Sequence, residues 1–271
     1  MDHYVKGSDI ILKQSDFSLS QTLDCGQAFR WAENADGSFS GAFLNTPLTI
    51  STLDKNDGTF ILHNTTEDEF LNIWYDYFDL STDYGEIKRI LSEDETLKKA
   101  CDYAGGIRIL KQDSWEALSS FIISQNNNIP RIKGIISRLV EHYGRYPSVD
   151  DMADETPESL AFLRAGFRAK YLVDAVDKFY TGKLTIDGIK AAPIDEAEKS
   201  LMSIKGVGPK VCSCALLFGF YRLEAFPVDV WVRRVLEEYY PNGLPECTKG
   251  IEGVAQQYLF HYIRNLYGKV K

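Results

Sequence analysis

Near Thr65 the hydrophobic pattern of this chain changes period, and that change limits the folds open to it. Before that point apolar residues come in short runs: Ile10–Leu12, Ala28–Trp31, Ser38–Phe43, Leu48–Ile50 and Phe60–Leu62. Turn residues separate them, and two tetrapeptides, Ala35-Asp36-Gly37-Ser38 and Lys55-Asn56-Asp57-Gly58, carry the Asp-Gly pair favoured in tight hairpins. From Thr66 onward apolar residues recur at helical spacing. Thr65 or Thr66 caps a predicted helix Glu67–Phe78 whose first turn is acidic. Further helices are predicted over 83–91, 95–103, 114–124, 130–143, 157–163, 169–180, 195–204, 209–221, 230–239 and 251–267. A sheet followed by helices gives an α+β fold: an N-terminal antiparallel β-sheet domain, then a mostly α-helical two-lobed region. The division falls at 1–110 and 111–271, with the C-terminal helix 251–267 packing back toward the N-terminal domain.

Composition narrows the functional classes. The chain has 271 residues, and no apolar run approaches the roughly 18–20 needed to cross a membrane. Its beginning, Met1-Asp-His-Tyr-Val-Lys, has early charge and no signal-peptide core. Cys25, Cys101, Cys212, Cys214 and Cys247 are scattered and odd in number, which reads as reduced thiols in an intracellular protein. The net charge of −9 argues against a broad nucleic-acid-binding field. The charge is uneven, however. Residues 1–110 hold 9 Lys/Arg against 19 Asp/Glu, whereas residues 200–271 hold 9 against 6. A nucleic-acid partner would be held by a few placed contacts and backbone N–H groups in the C-terminal part.

That mildly basic part contains Ser203-Ile-Lys-Gly-Val-Gly-Pro-Lys-Val-Cys-Ser-Cys214, two apolar helices joined by a Gly-Val-Gly turn. Gly206, Val207 and Gly208 expose main-chain N–H groups, and Pro209 suits the first position of the second helix. Free N–H groups at a helix N-terminus make an anion site fit for a phosphate. Lys210 follows in the first turn, where the positive end of the helix dipole disfavours a cation. Nineteen residues on stands Pro227-Val-Asp229, with Asp229 just ahead of an amphipathic helix. From local sequence Asp229 reads equally as a helix cap and as a fixed carboxylate able to stabilise positive charge.

This helix–hairpin–helix with Gly-Val-Gly-x-Lys and then Pro-Val-Asp resembles the lysine-bearing branch of the helix–hairpin–helix DNA glycosylases. Cys25-Gly-Gln-Ala-Phe-Arg-Trp31, Ser124-Gln-Asn-Asn-Asn-Ile-Pro-Arg131, Ala165-Gly-Phe-Arg-Ala-Lys-Tyr171 and Gly253-Val-Ala-Gln-Gln-Tyr-Leu-Phe260 are similar to segments of the 8-oxoguanine DNA glycosylases, in register along nearly the whole chain. The resemblance implies an enzyme of base excision repair that flips a damaged base out of duplex DNA. Lys210 would attack the deoxyribose, and the Schiff base would permit β-elimination at the abasic site. Asp229 would stabilise the charge developing on the sugar.

The resemblance also implies the recognition residues. Gly26 would accept the N7 hydrogen of 8-oxoguanine through its carbonyl, Gln256 would read the Watson–Crick edge, and Cys214 with Phe260 would sandwich the ring. Asn126 would fill the gap left by the base, Phe167 would wedge the duplex, and Arg131 with Arg168 would read the orphaned cytosine. The implied partner is double-stranded DNA containing 8-oxoguanine or abasic sites, with no cofactor, iron–sulfur cluster or catalytic metal. The protein would act as a monomer, away from membranes, in the cytoplasm or nucleoid of a prokaryote. Phe167 and Trp231 stand where better-known members have tyrosine and histidine, and Pro130 and Pro209 also depart from the usual residues.

Three other classes fit the residues less well. Glycosylases of the endonuclease III or adenine-mismatch type often carry a four-cysteine cluster, and only Cys247 follows Cys214 here. Alkylation-repair glycosylases lack the hairpin lysine. A non-catalytic DNA-binding module has no need of Asp229 or the base-pocket set.

Overall fold

The computed structural model describes residues 2–55 and 57–268. Strands β1 (Asp2–Lys6), β2 (Asp9–Lys13), β3 (Ala32–Glu33), β4 (Phe39–Phe43), β5 (Thr46–Asp54) and β6 (Thr59–His63) form one antiparallel sheet in the order β1-β2-β6-β5-β4-β3. Ile10 and Leu12, Leu48 and Ile50, and Phe60 and Leu62 are buried at a period of two. The register pairs Ile10 with Leu62, Leu12 with Phe60 and Ile50 with Leu62, giving the sheet one continuous apolar face. The 35–38 hairpin joins β3 to β4, with the Ser38 N–H donating to Asp36 Oδ1 at 2.9 Å. Asp57 and Gly58 lead into β6; Asn56 of that predicted turn lies outside the described residues.

The helices are α1 (Leu19–Leu23), α2 (Glu67–Glu69), α3 (Tyr75–Tyr77), α4 (Tyr84–Leu91), α5 (Glu95–Ala104), α6 (Ser114–Ser124), α7 (Ile129–Tyr143), α8 (Arg168–Tyr180), α9 (Ile186–Ala191), α10 (Ile194–Met202), α11 (Pro209–Gly219), α12 (Val230–Tyr239) and α13 (Glu252–Gly268). A π turn at Phe70–Trp74 joins α2 to α3, so the predicted helix Glu67–Phe78 exists with one widened turn. Thr66 starts it with a capping box closed by Glu69.

Three local expectations need correction, and three short elements went unread. Ala28–Trp31 is a buried loop and not a strand. The Gln27 side chain supplies its anchorage, donating to the carbonyls of Thr22 (2.9 Å) and Arg108 (2.8 Å) and accepting from the Leu110 N–H (3.0 Å). The predicted helix 157–163 is the 3₁₀ segment Ser159–Leu163. Short elements β1, α1 and α9 carried too little periodicity to be read. The helix predicted to run to 221 stops at Gly219.

By packing, the described residues up to Lys111 and those from Val228 onward make one unit, and residues 112–227 make another. The sequence division at 110/111 lies beside the first junction. The second, at 227/228, groups α12 and α13 with the sheet, and α13 lies against α5. In this unit the sheet face meets α1 and the 67–77 helix in one core. Its centre is aromatic: Trp31 Nε1 donates to Tyr77 Oη at 2.7 Å, and Trp74 and Phe78 pack around both rings. Arg108, 1% exposed, ties two loop segments to its own by donating to the carbonyls of Ser15, Asp16 and Asp79. Burial pushes its guanidinium below the ordinary arginine range, and the Tyr84 ring lies 4.5 Å beneath it.

In the 112–227 unit α6 is buried along almost its whole length, with α7, α8 and α11 packed on it. Phe121 stacks on Phe218 at 5.4 Å. Where α6 crosses α11, a Cβ on Gly219 would come 2.8 Å from that of Ala117, and Ser114 Oγ donates to the Gly219 carbonyl at 2.7 Å.

Two stability predictions follow. A Cβ on Gly41 would lie 2.3 Å from the Trp31 ring, and that ring is buried. With Trp74, Tyr77 and Phe78 around that ring, Gly41→Ala is expected to destabilise the fold by about 1–3 kcal/mol, read as a lower urea midpoint with an unchanged m-value. The second concerns His261 on α13, pushed down to about 4 by burial and then by the Arg264 charge, against an opposing effect of Asp24. The fold thus favours neutral imidazole. Its contribution is constant above the unfolded value near 6.5, falls by about 1.4 kcal/mol per pH unit below that, and levels off below the folded value. In urea titrations at pH 7.5 and 4.5, His261→Gln is expected to lose less stability on acidification than wild type, by at most about 3 kcal/mol.

Candidate functional site

The hairpin after α10 is shaped from beneath. Gly206 has φ +80°, and a Cβ there would sit 2.3 Å from Cε2 of Tyr171, so the α8 tyrosine ring lies directly against its Cα. Val207 is buried and donates to the Ile204 carbonyl at 3.0 Å. One residue before the turn, the Lys205 N–H donates to Asp174 Oδ2 at 2.7 Å, and Lys178 Nζ meets the same oxygen at 2.6 Å. Burial raises the Asp174 carboxyl, but these two donors outweigh it and hold it below the ordinary range. Gly208 then caps α11 in extended conformation, with Pro209 at its first position. Among the described residues the N–H groups of Gly206 and Gly208 find no acceptor.

Lys210 is exposed in the first turn of α11, its Nζ 5.8 Å from the centre of the Phe121 ring. It opens onto a cleft of about 670 Å³ that Ser124, Gln125, Asn126, Phe167, Tyr171, Gly206, Gly208, Pro209 and Val211 also line. Of the residues singled out in the sequence, this cleft brings together Lys210, the hairpin glycines, Asn126 and Phe167. Cys214 lies one helical turn beyond Lys210 on α11 and is buried.

The three asparagines do different work. Asn126 is exposed with φ +48°, a backbone conformation asparagine tolerates better than most residues. Asn127 Nδ2 donates back to the Ile123 carbonyl at 3.3 Å, and Asn128 Oδ1 caps α7 by accepting from the Arg131 N–H at 3.0 Å. Arg131 itself is exposed. Arg168 differs from the sequence expectation of an arginine directed at a partner strand. It is 2% exposed, and its guanidinium donates to the carbonyls of Gln125 (2.6 Å), Asn126 (2.9 Å) and Ala165 (3.1 Å). Those bonds clamp the Asn126 turn. Burial, and then the charge of Arg131, push Arg168 below the ordinary arginine range. Its plane lies 4.4 Å over the ring of Phe167, which is 48% exposed.

The remaining residues belong to the sheet-containing unit. Asp229 caps α12: its Oδ1 accepts from the N–H groups of Trp231 (2.9 Å) and Val232 (2.8 Å). Its Oδ2 makes no hydrogen bond among the described residues. Gly26 has φ +85° with open space where a Cβ would be, so conformation and not crowding calls for glycine. The peptide beside it is held by the three Gln27 bonds. On α13, Gln256 is 4% exposed and Phe260 is half-buried, with the Arg264 guanidinium 5.8 Å over its ring. Burial pushes the thiols of Cys25, Cys101 and Cys212 up to about 11, 12 and 12, which keeps them unreactive near neutral pH. Among the described residues no helix is long and apolar enough to cross a membrane.

Tyr171, Asp174, Gln27 and Arg108 were not read from the sequence as parts of this machinery. Each acts on a partner more than 30 residues away, or through a close contact that local spacing does not encode. Only the motifs around Tyr171 and Gln27 offered a signal.

Comparison with known proteins gives the family. Residues 9–118 match the family model of the 8-oxoguanine DNA glycosylase N-terminal domain, and residues 119–248 match that of the HhH-GPD superfamily of base excision DNA repair proteins. A solved structure of MBOgg1 in complex with a low-affinity DNA ligand is 38% identical, with a TM-score of 0.90 over 98% of this chain and 99% of that one. The Clostridium acetobutylicum 8-oxoguanine glycosylase/lyase, solved with double-stranded DNA containing cytosine opposite 8-oxoG, is 37% identical, with a TM-score of 0.89 over the same shares. The N-glycosylase/DNA lyase OGG1 of Arabidopsis thaliana is 27% identical over 84% of this chain and 67% of its own length. Hairpin, sheet and near-complete coverage agree, and the chain belongs to the 8-oxoguanine DNA glycosylase family of the HhH-GPD superfamily.

Proposed function

We propose that this protein excises 8-oxoguanine from duplex DNA and nicks the abasic site that remains. The observation that carries the reading is the cleft of the 112–227 unit, where the Lys210 amine stands beside two unbonded hairpin N–H groups and the clamped Asn126 turn. The hairpin N–H groups hold a backbone phosphate. The Lys210 amine forms a bond to C1′ of the flipped nucleotide as the bond to the base breaks, and the base leaves with a proton. The sugar ring opens to the protonated Schiff base. Loss of a C2′ proton then expels the 3′ phosphate. Asp229, fixed by its two cap bonds, stabilises the positive charge that develops on the sugar. The route uses side chains alone, with no metal or cofactor.

Recognition follows the family resemblance. The Gly26 carbonyl accepts the N7 hydrogen that 8-oxoguanine has and guanine lacks, and Gln256 reads the Watson–Crick edge. Cys214 and Phe260 cover the two faces of the ring. Asn126 enters the gap in the duplex, and Phe167 wedges beside it. A cytosine opposite is preferred because its acceptor edge suits arginine donors, Arg131 first among them. For Arg168 to join, it must exchange its bonds to the Gln125 and Asn126 carbonyls for the cytosine. The protein works as a monomer on DNA in the cytoplasm or nucleoid of a prokaryotic cell.

Borohydride reduction in the presence of duplexes carrying 8-oxoguanine opposite each base in turn is expected to trap a covalent complex with wild type, most with cytosine opposite. None is expected with Lys210→Gln; undiminished trapping by that variant overturns the lysine route. Asp229→Ser separates capping from charge, because serine caps a helix about as well as aspartate. It is expected to change stability by less than about 0.5 kcal/mol while lowering the single-turnover excision rate by about 10²–10³-fold. Full activity in that variant assigns Asp229 to capping alone.

A further inference from the structure

Two consecutive glutamines on α13, Gln256 and Gln257, are each 4% exposed. Burying two primary amides on one helix is unfavourable unless they are hydrogen-bonded. One bond links them: Gln257 Nε2 donates to Gln256 Oε1 at 2.6 Å. The Gln256 side chain makes no other hydrogen bond among the described residues, and the buried Oε1 of Gln257 has none at all. A leucine at 257 would fill the same core position without that unpaired oxygen, so packing does not account for the residue. What the second glutamine accomplishes is visible in the first. With its oxygen engaged, the Gln256 amide is fixed in plane and in sense, and its free end is the NH₂ group, a pair of donors.

The sense of that amide matters for a purine. A 6-oxopurine offers an acceptor at position 6 beside a donor at N1; a 6-aminopurine offers the reverse. An unrestrained glutamine amide can turn over and serve either edge. We propose that Gln257 is a positioning residue that fixes which end of the Gln256 amide meets the flipped base, and so sets discrimination between 6-oxo and 6-amino 8-oxopurines. This rests on the reading above that Gln256 contacts the base edge. The bond to Oε1 also polarises the Gln256 amide and strengthens its N–H groups as donors to a 6-oxo oxygen, while the second lone pair of Oε1 remains for an N1 hydrogen.

The test uses single-turnover kinetics on otherwise identical duplexes carrying 8-oxoguanine or 8-oxoadenine opposite cytosine, with strand cleavage at a preformed abasic site as a third substrate. Gln257→Leu is expected to lower the 8-oxoguanine to 8-oxoadenine rate ratio about tenfold, with abasic-site cleavage within about twofold of wild type. Gln257→Glu can only accept, which obliges Gln256 to turn its NH₂ toward it and its oxygen outward; it is expected to lower the ratio further than leucine does. If Gln256→Ala destroys selectivity while both Gln257 variants keep the wild-type ratio, the positioning role is overturned and the base-edge reading stands. If Gln256→Ala leaves 8-oxoguanine excision intact, the base-edge reading itself falls. Equal losses on all three substrates in the Gln257 variants make the residue structural and also overturn the proposal.

Discussion

The contact on which the 112–227 unit turns is the ring of Tyr171 against the bare Cα of Gly206. It sets how closely α8 approaches the hairpin, and with the Asp174 bond to the Lys205 N–H it fixes where α11 begins. The hairpin side of the cleft depends on that starting point. The two unbonded N–H groups precede it and the amine of Lys210 follows one residue inside it. The stacked Phe121 and Phe218 and the Gly219 crossing hold the rest of α11 on α6, so the amine is carried on a rigid strut.

In the other unit the same economy appears with different materials. Gln27 and Arg108 are buried polar side chains that bond to backbone carbonyls and, for Gln27, to a backbone N–H as well. Between them they organise a loop-rich region next to the sheet where no ladder of main-chain bonds is available. The Gly26 peptide is thereby held by side-chain bonds while keeping the left-handed backbone that glycine permits. A carbonyl on a free loop would sample many directions; here the loop is pinned on one side by its immediate neighbour.

Much of this was legible in the chain. Alternation and Asp-Gly pairs announced the sheet because hairpins are local, and Gly-Val-Gly-Pro-Lys announced the cleft because turn and helix-start chemistry is written within five residues. What could not be read was long-range or directional. The apolar run Ala28–Trp31 has the composition of a strand, and only the distant partners of Gln27 make it a loop. The resemblance placed Arg168 at the opposite base, but not that its guanidinium faces inward in the free protein. Nor does adjacency in sequence reveal that Gln257 engages Gln256, since consecutive helical residues normally point about 100° apart.

The inward-facing Arg168 makes the rim of the cleft answer to a single charge. Its guanidinium donates to the carbonyls of Gln125, Asn126 and Ala165, so the left-handed backbone at Asn126 is braced by a side chain from the start of a different helix. Bonds from a cation to carbonyls are stronger than those between neutral groups, and a buried carbonyl left without its donor is costly. The Asn126 turn and the first turn of α8 therefore behave as one hinge-pin and leaf: neither can shift without the other giving up its bonds.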